Sequence, residues 1–110
     1  MLASELVTGI RRDISDEKSP YRHADAEILS FVGDALIALW SMHPEAFYVD
    51  DIILDAPDSP ASTTTVVTLD PIYKPAVIHH AVSKLYLQDA EDLNNQALSD
   101  KHWELFKAEV

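Results

Sequence analysis

Apolar residues recur along this chain at three- and four-residue steps over four stretches, the spacing that places side chains on one face of a helix. Ala3, Leu6, Val7, Ile10 and Ile14 make the first stripe and predict a helix from about Ala3 to Ile14. Arg11, Arg12 and Asp13 fall off it. Gly9 weakens this helix by about 1 kcal/mol relative to alanine. A polar breaker follows at Asp16-Glu-Lys-Ser-Pro20. From about Ala24 to Met42 the stripe is broader: Ile28, Leu29, Val32, Ala35, Leu36, Leu39 and Trp40. Its breadth predicts contacts on more than one side, hence a central core helix. Asp25 and Glu27 suit the positive end of its dipole. His43-Pro44 ends it, since a residue before proline avoids the helical region, and Pro44–Phe47 adds room for one short turn.

The pattern then changes. Tyr48–Leu54 and Thr63–Leu69 are rich in β-branched residues, and Asp55–Ser62 between them has loop composition. This predicts a β-hairpin or an extended arm over about 48–69. An isolated hairpin is marginal in water, so it should pack on the helices or on a neighbouring subunit. The helical period returns after Asp70-Pro71, a start signal in which Asp caps free amides and Pro loses no needed donor. Ile78, Ala81, Val82, Leu85 and Tyr86 form the third stripe, and Pro75 allows a looser first turn. After a turn over 89–95, Leu98, His102, Leu105 and Phe106 form the fourth, with Trp103 beside it. The fold class expected is mainly α: a small bundle of about four helices, with the arm between the second and third long helices. One domain spans 1–110.

Composition changes this picture in one respect. The chain has 110 residues and a formal charge of −11. DNA binding rests on Lys and Arg displacing counterions, so a direct DNA binder is not expected. Acidity fits repelling DNA, mimicking it, or staying soluble. There are no cysteines, which excludes disulfides and thiolate chemistry. No apolar run has the length of a bilayer span, and Met1–Glu5 lacks a secretory signature. A cytoplasmic protein is expected.

Candidate chemistry is sparse. His79 and His80 are adjacent and point to different helix faces. No histidine pair has the four-residue spacing of a helical metal site, so no metal ligands are expected. Asp50-Asp51 and Asp89-x-Glu91-Asp92 are carboxylate clusters without a nucleophile, a glycine loop or a basic clamp nearby. Gly9 and Gly33, the two glycines, both fall inside helices. No catalytic residues, cofactor or enzymatic activity are expected. Trp40, Phe31 and Tyr86 read as core. Trp103 and Phe106 lie three apart and so side by side, next to Lys101 and Lys107, and either close the core or anchor a partner.

At these residues the chain resembles small phage head–tail adaptor (connector) proteins. The resemblance rests on Pro71-Ile-Tyr-x-x-Ala-Val, Tyr86-Leu-x-Asp-Ala-Glu, Asn94-x-x-Ala and Trp103-x-x-Phe106. It extends to Pro20-Tyr-Arg-His-Ala-Asp-x-Glu-Ile-Leu29, Val32-Gly-Asp-Ala-Leu36 and His43-Pro-Glu-Ala-Phe47. Ala24 departs from it, where such sequences often carry a Ser or Thr cap. The resemblance implies a structural virion protein that forms a ring, dodecameric in that family, under the portal of a tailed phage. Such a ring extends the DNA channel, lets DNA pass without specific binding, and offers the attachment surface for the next tail or stopper component. Residence at the head–tail junction, and in the host cytoplasm before assembly, goes with it; a membrane partner does not. Trp103, Phe106, Lys107 and Val110 would dock on the portal. Tyr48, Ile52, Ile53, Leu54, Val66 and Val67 would form the arm that contacts other subunits or the tail. Asp50, Asp51, Asp55 and Asp58 would form an acidic channel wall or surface. The competing reading is a monomeric acidic phage regulator or DNA mimic that binds a host or phage protein.

Overall fold

The first stripe folds as α1 (Ala3–Asp13), burying Ala3, Leu6, Val7 and Ile10. No side chain caps its start. The open amides of its first turn are met by backbone instead: Ala3 N donates to Thr65 O at 2.9 Å and Ser4 N to Thr63 O at 2.8 Å. Val67 N donates to Met1 O at 2.7 Å, and Leu2 bridges Val66 antiparallel. The computed structural model describes residues 1–14, 16, 23–49, 52–53, 60, 62–88 and 93–109.

The expectation was a β-hairpin or an extended arm. Among the described residues, Thr63–Val67 lies along Met1–Ser4, at the start of α1. The β-branched alternation is still expressed: Val67 and Leu69 are buried, while Val66 and Thr68 face solvent. An extended segment that closes a helix start needs one inward face, as a strand does, and period two supplies it. Tyr48–Val49 and Ile52–Ile53 run antiparallel over two residues each, too short for a sheet layer. The fold of the described residues is all-α, built on four helices.

α2 (Asp25–Met42) buries Ile28, Leu29, Val32, Gly33, Ala35, Leu36 and Leu39. Ala24 stands at its cap position and makes no side-chain cap bond. The helix ends at His43, and Pro44–Phe47 adds a 3-10 turn that buries Ala46 and Phe47. Asp70 N donates to Ala46 O at 3.2 Å, which ties this turn to the entry of the third helix. There the Asp70 carboxylate accepts from Ile72 N at 3.1 Å and caps the 3-10 turn Pro71–Tyr73. The regular helix α3 (Lys74–Gln88) follows directly. α4 (Leu93–Glu109) returns along it.

The central helix is α3, where α2 was expected. It packs against α1, α2 and α4, whereas α4 packs chiefly on α3. α3 is covered on two sides: Val77, Ala81, Val82 and Leu85 join the main core, while His80 and Ser83 face α4. Close approach is built into α1 and α3 as well. A Cβ at Gly9 would lie 2.5 Å from Ile78 Cδ1, so glycine there costs helix propensity and admits the α3 side chain.

Candidate functional site: the histidine and aromatic seam of α3 and α4

α4 meets α3 through Ser99, His102 and Phe106, spaced three and four apart. The expected stripe began at Leu98, which is only half-buried. Serine takes the contact because it is small. Ser83 Oγ donates to Ser99 O at 2.9 Å and Ser99 Oγ to Ser83 O at 2.8 Å. This reciprocal pair satisfies both hydroxyls and sets the two helices close together.

Toward the end of α4, Phe106 is fully buried. Its ring meets His80 edge-on with centroids 4.8 Å apart and lies 5.5 Å from the Trp103 ring. Trp103 is half-buried, with Lys84 Nζ 5.7 Å and Lys107 Nζ 5.9 Å from its ring centre. Lys107 also pairs with Glu104 at 2.9 Å. The expected docking set therefore divides. Trp103 and Lys107 reach the surface together, whereas Phe106 closes the chain's own α3–α4 seam. Val110 lies outside the described residues.

The arm set divides too. Val67 belongs to the core and Val66 is exposed. Only the backbone of Tyr48, Ile52 and Ile53 is described, and Leu54, Asp50, Asp51, Asp55 and Asp58 lie outside the described residues.

His80 is buried, and its Nδ1 has no hydrogen-bond partner. Burial, with Lys84 adding and Asp34 opposing, pushes its pKa down from 6.5 to about 4. The imidazole is thus neutral in the fold at neutral pH. Between these two values the unfolded chain holds a proton that the folded chain does not. This contribution is therefore complete above pH 6.5 and is lost as pH falls toward 4, by about 3 kcal/mol. His102 is shifted down as well, first by burial and then by His79, and acts with the same sign. His80→Leu, compared with the parent by urea unfolding at neutral and acid pH, is expected to remove most of this acid sensitivity. An unchanged pH profile in His80→Leu would show that other groups carry it.

One turn of α4 before Phe106, His102 reaches back between two α3 side chains. Its ring stacks on His79 at 5.1 Å and on Tyr86 at 5.9 Å. His79 Nδ1 and His102 Nδ1 are 2.9 Å apart. Asp13, the last residue of α1, completes a group whose ligand atoms all lie within 4.8 Å of one another. The sequence expectation of no metal ligands considered spacing within one helix, and these residues come from three. Asp13 and His79 also line an open groove of about 530 Å³ between α1 and α3, with Arg12, Lys74 and Glu5 on its walls.

No family model, curated protein or solved structure matches this chain. Among the described residues, no helix is long and apolar enough to cross a membrane. What the seam offers chemically is a half-buried tryptophan flanked by two cations, beside a cluster of two imidazoles and a carboxylate.

Proposed function

We propose that this chain is a structural virion protein, an adaptor that assembles as a ring under the portal of a tailed phage. In this reading the ring extends the DNA channel and carries the surface to which the tail attaches. The observation that supports it is where the adaptor-like motifs fall in the fold. Pro71-Ile-Tyr opens α3 through a capped turn, Tyr86 lies in the last turn of α3, and Asn94 lies in the first turn of α4. Trp103-x-x-Phe106 joins the end of α4 to His80, and Pro44–Phe47 is the turn that closes α2. Motifs shared because of shared architecture stand at helix boundaries and seams, where they set the fold. The charge of −11 fits a channel wall to which passing DNA does not adhere. The excursion between α2 and α3 is the segment proposed to reach a neighbouring subunit or the next tail component.

Trp103 is the proposed portal anchor, because of Trp103 and Phe106 it is the one that reaches the surface, and two lysines flank it. Mixed with portal, the chain is expected to give rings in particle images and a matching mass by light scattering. Trp103→Ala, with its melting measured separately, is expected to bind portal at least about tenfold more weakly while staying folded. Normal portal binding by the folded variant would remove Trp103 from this role. A parent that forms neither rings nor a portal complex would overturn the adaptor reading.

A further inference from the structure

We propose that Asp13, His79 and His102 form a site for one first-row divalent cation of the zinc type, with a coordination position open to the groove between α1 and α3. The donor set argues for the metal class. Two imidazoles and one carboxylate suit zinc and its neighbours, whereas magnesium and calcium prefer oxygen ligands throughout.

The geometry is close to what such an ion needs. Zinc takes imidazole nitrogen at about 2.0–2.1 Å in tetrahedral sites, so two such nitrogens stand about 3.3 Å apart. The two Nδ1 atoms stand 2.9 Å apart, and they have to open by only a few tenths of an ångström. At that separation one Nδ1 carries a proton and the other accepts it. Loading requires the protonated ring to move its proton to Nε2, which frees both Nδ1 lone pairs for the ion. Asp13 has the most freedom: it is exposed at the end of α1 and can close the remaining distance by rotation. His102 has the least, because His79 and Tyr86 hold its ring on either side. A rigid buried ligand, a half-buried one and a mobile exposed one make a site that is largely formed before the metal arrives.

The groove supplies the entry path and the open position, since Asp13 and His79 are on its wall. A bound ion would also tie α1 to α4, two helices that otherwise communicate chiefly through α3. None of this depends on the adaptor reading: the site lies within one chain and is tested on that chain alone.

The test is titration of purified, chelator-treated full chain with Zn²⁺, followed by calorimetry and by melting, with Co²⁺ as the optical probe. The expected result is saturation at one ion per chain, a rise in Tm, and visible cobalt absorption of four-coordinate strength. His79→Gln and His102→Gln are each expected to weaken Zn²⁺ binding by more than the roughly 10–100-fold that loss of an outer-shell partner costs. Asp13→Asn should weaken it about tenfold or more without disturbing the fold, because the side chain is exposed. That variant decides the matter if a histidine variant fails to fold. His43→Gln is the control, since His43 pairs with Glu45 away from the seam. The proposal is overturned if the folded parent shows no saturable binding. It is equally overturned if His43→Gln weakens binding as much as Asp13→Asn does.

Discussion

Asp16→Asn is expected to destabilise this protein by about 3–5 kcal/mol, because it removes one partner of a buried ion pair. Arg11 and Asp16 meet at 2.8 Å with side chains only 7% and 3% exposed. Arg11 stays buried with one counter-charge fewer, so the loss is the cost of a buried charge that is less well compensated. The second carboxylate on Arg11, Asp25 at 2.6 Å, is 58% exposed and is well screened, so it compensates little. Asp16 also accepts from His23 N at 3.2 Å. Asparagine keeps an acceptor for that bond. Arg11→Met is expected to cost a similar amount, because Asp16 then loses its buried counter-charge. The double variant should cost clearly less than the sum, because each single change already removes the attraction between the two. Domains of this size are stable by about 5–15 kcal/mol, so either single change should move a urea midpoint far. Single losses under about 1 kcal/mol would mean that water reaches the pair.

This pair marks a limit of what the sequence discloses. Arg11 lies off the first apolar stripe, and an off-stripe arginine ordinarily reads as solvent-facing. Its burial goes with Asp16 and Asp25, which the fold brings against it. No local period encodes that contact. The helices themselves were legible, because each has an apolar face at the helical step and start and stop signals that act locally. Asp70-Pro71 caps as expected, and His43-Pro44 stops α2 as expected. Of the β-branched run, Thr63 and Thr64 stand in a turn and only Thr65–Leu69 runs on without helix. What it pairs with was not legible, because alternation fixes which side faces in and says nothing of the partner.

The α3–α4 seam was legible in part. The fourth stripe rightly named His102 and Phe106. It missed Ser99, because hydrophobic patterning cannot register a contact made through smallness and reciprocal hydrogen bonds. It also placed α2 at the centre on the breadth of its stripe. α3 has the wider set of neighbours because the face it turns to α4 is made of His80 and Ser83, which patterning scores as polar. The Asp13, His79 and His102 cluster was out of reach for a related reason. Its residues lie on three helices, far apart in sequence, and only the packing of α1 and α4 on α3 brings them together.

Leu36→Ala is expected to cost about 2–5 kcal/mol, the range for emptying a leucine site in a packed core. Leu36 is 1% exposed on α2, which packs against α1, α3 and the Pro44–Phe47 turn. Several elements enclose the site, so no single one can collapse into the space, and the cavity adds to the lost transfer energy. The neighbouring residue supplies the control. Ile37 is on the same helix, one position on, and is 45% exposed. Ile37→Ala removes an aliphatic side chain of the same size where solvent already reaches it. Alanine also has the better helix propensity, so that change should cost under about 1 kcal/mol. The difference between the two variants, measured by urea unfolding with an unchanged m value, reports burial, apart from the few tenths of a kcal/mol by which Leu and Ile differ in helix propensity. If Leu36→Ala costs no more than Ile37→Ala, the face that α2 turns inward is not the one bearing Leu36, and the stripe of Ile28, Val32, Leu36 and Leu39 does not form the core.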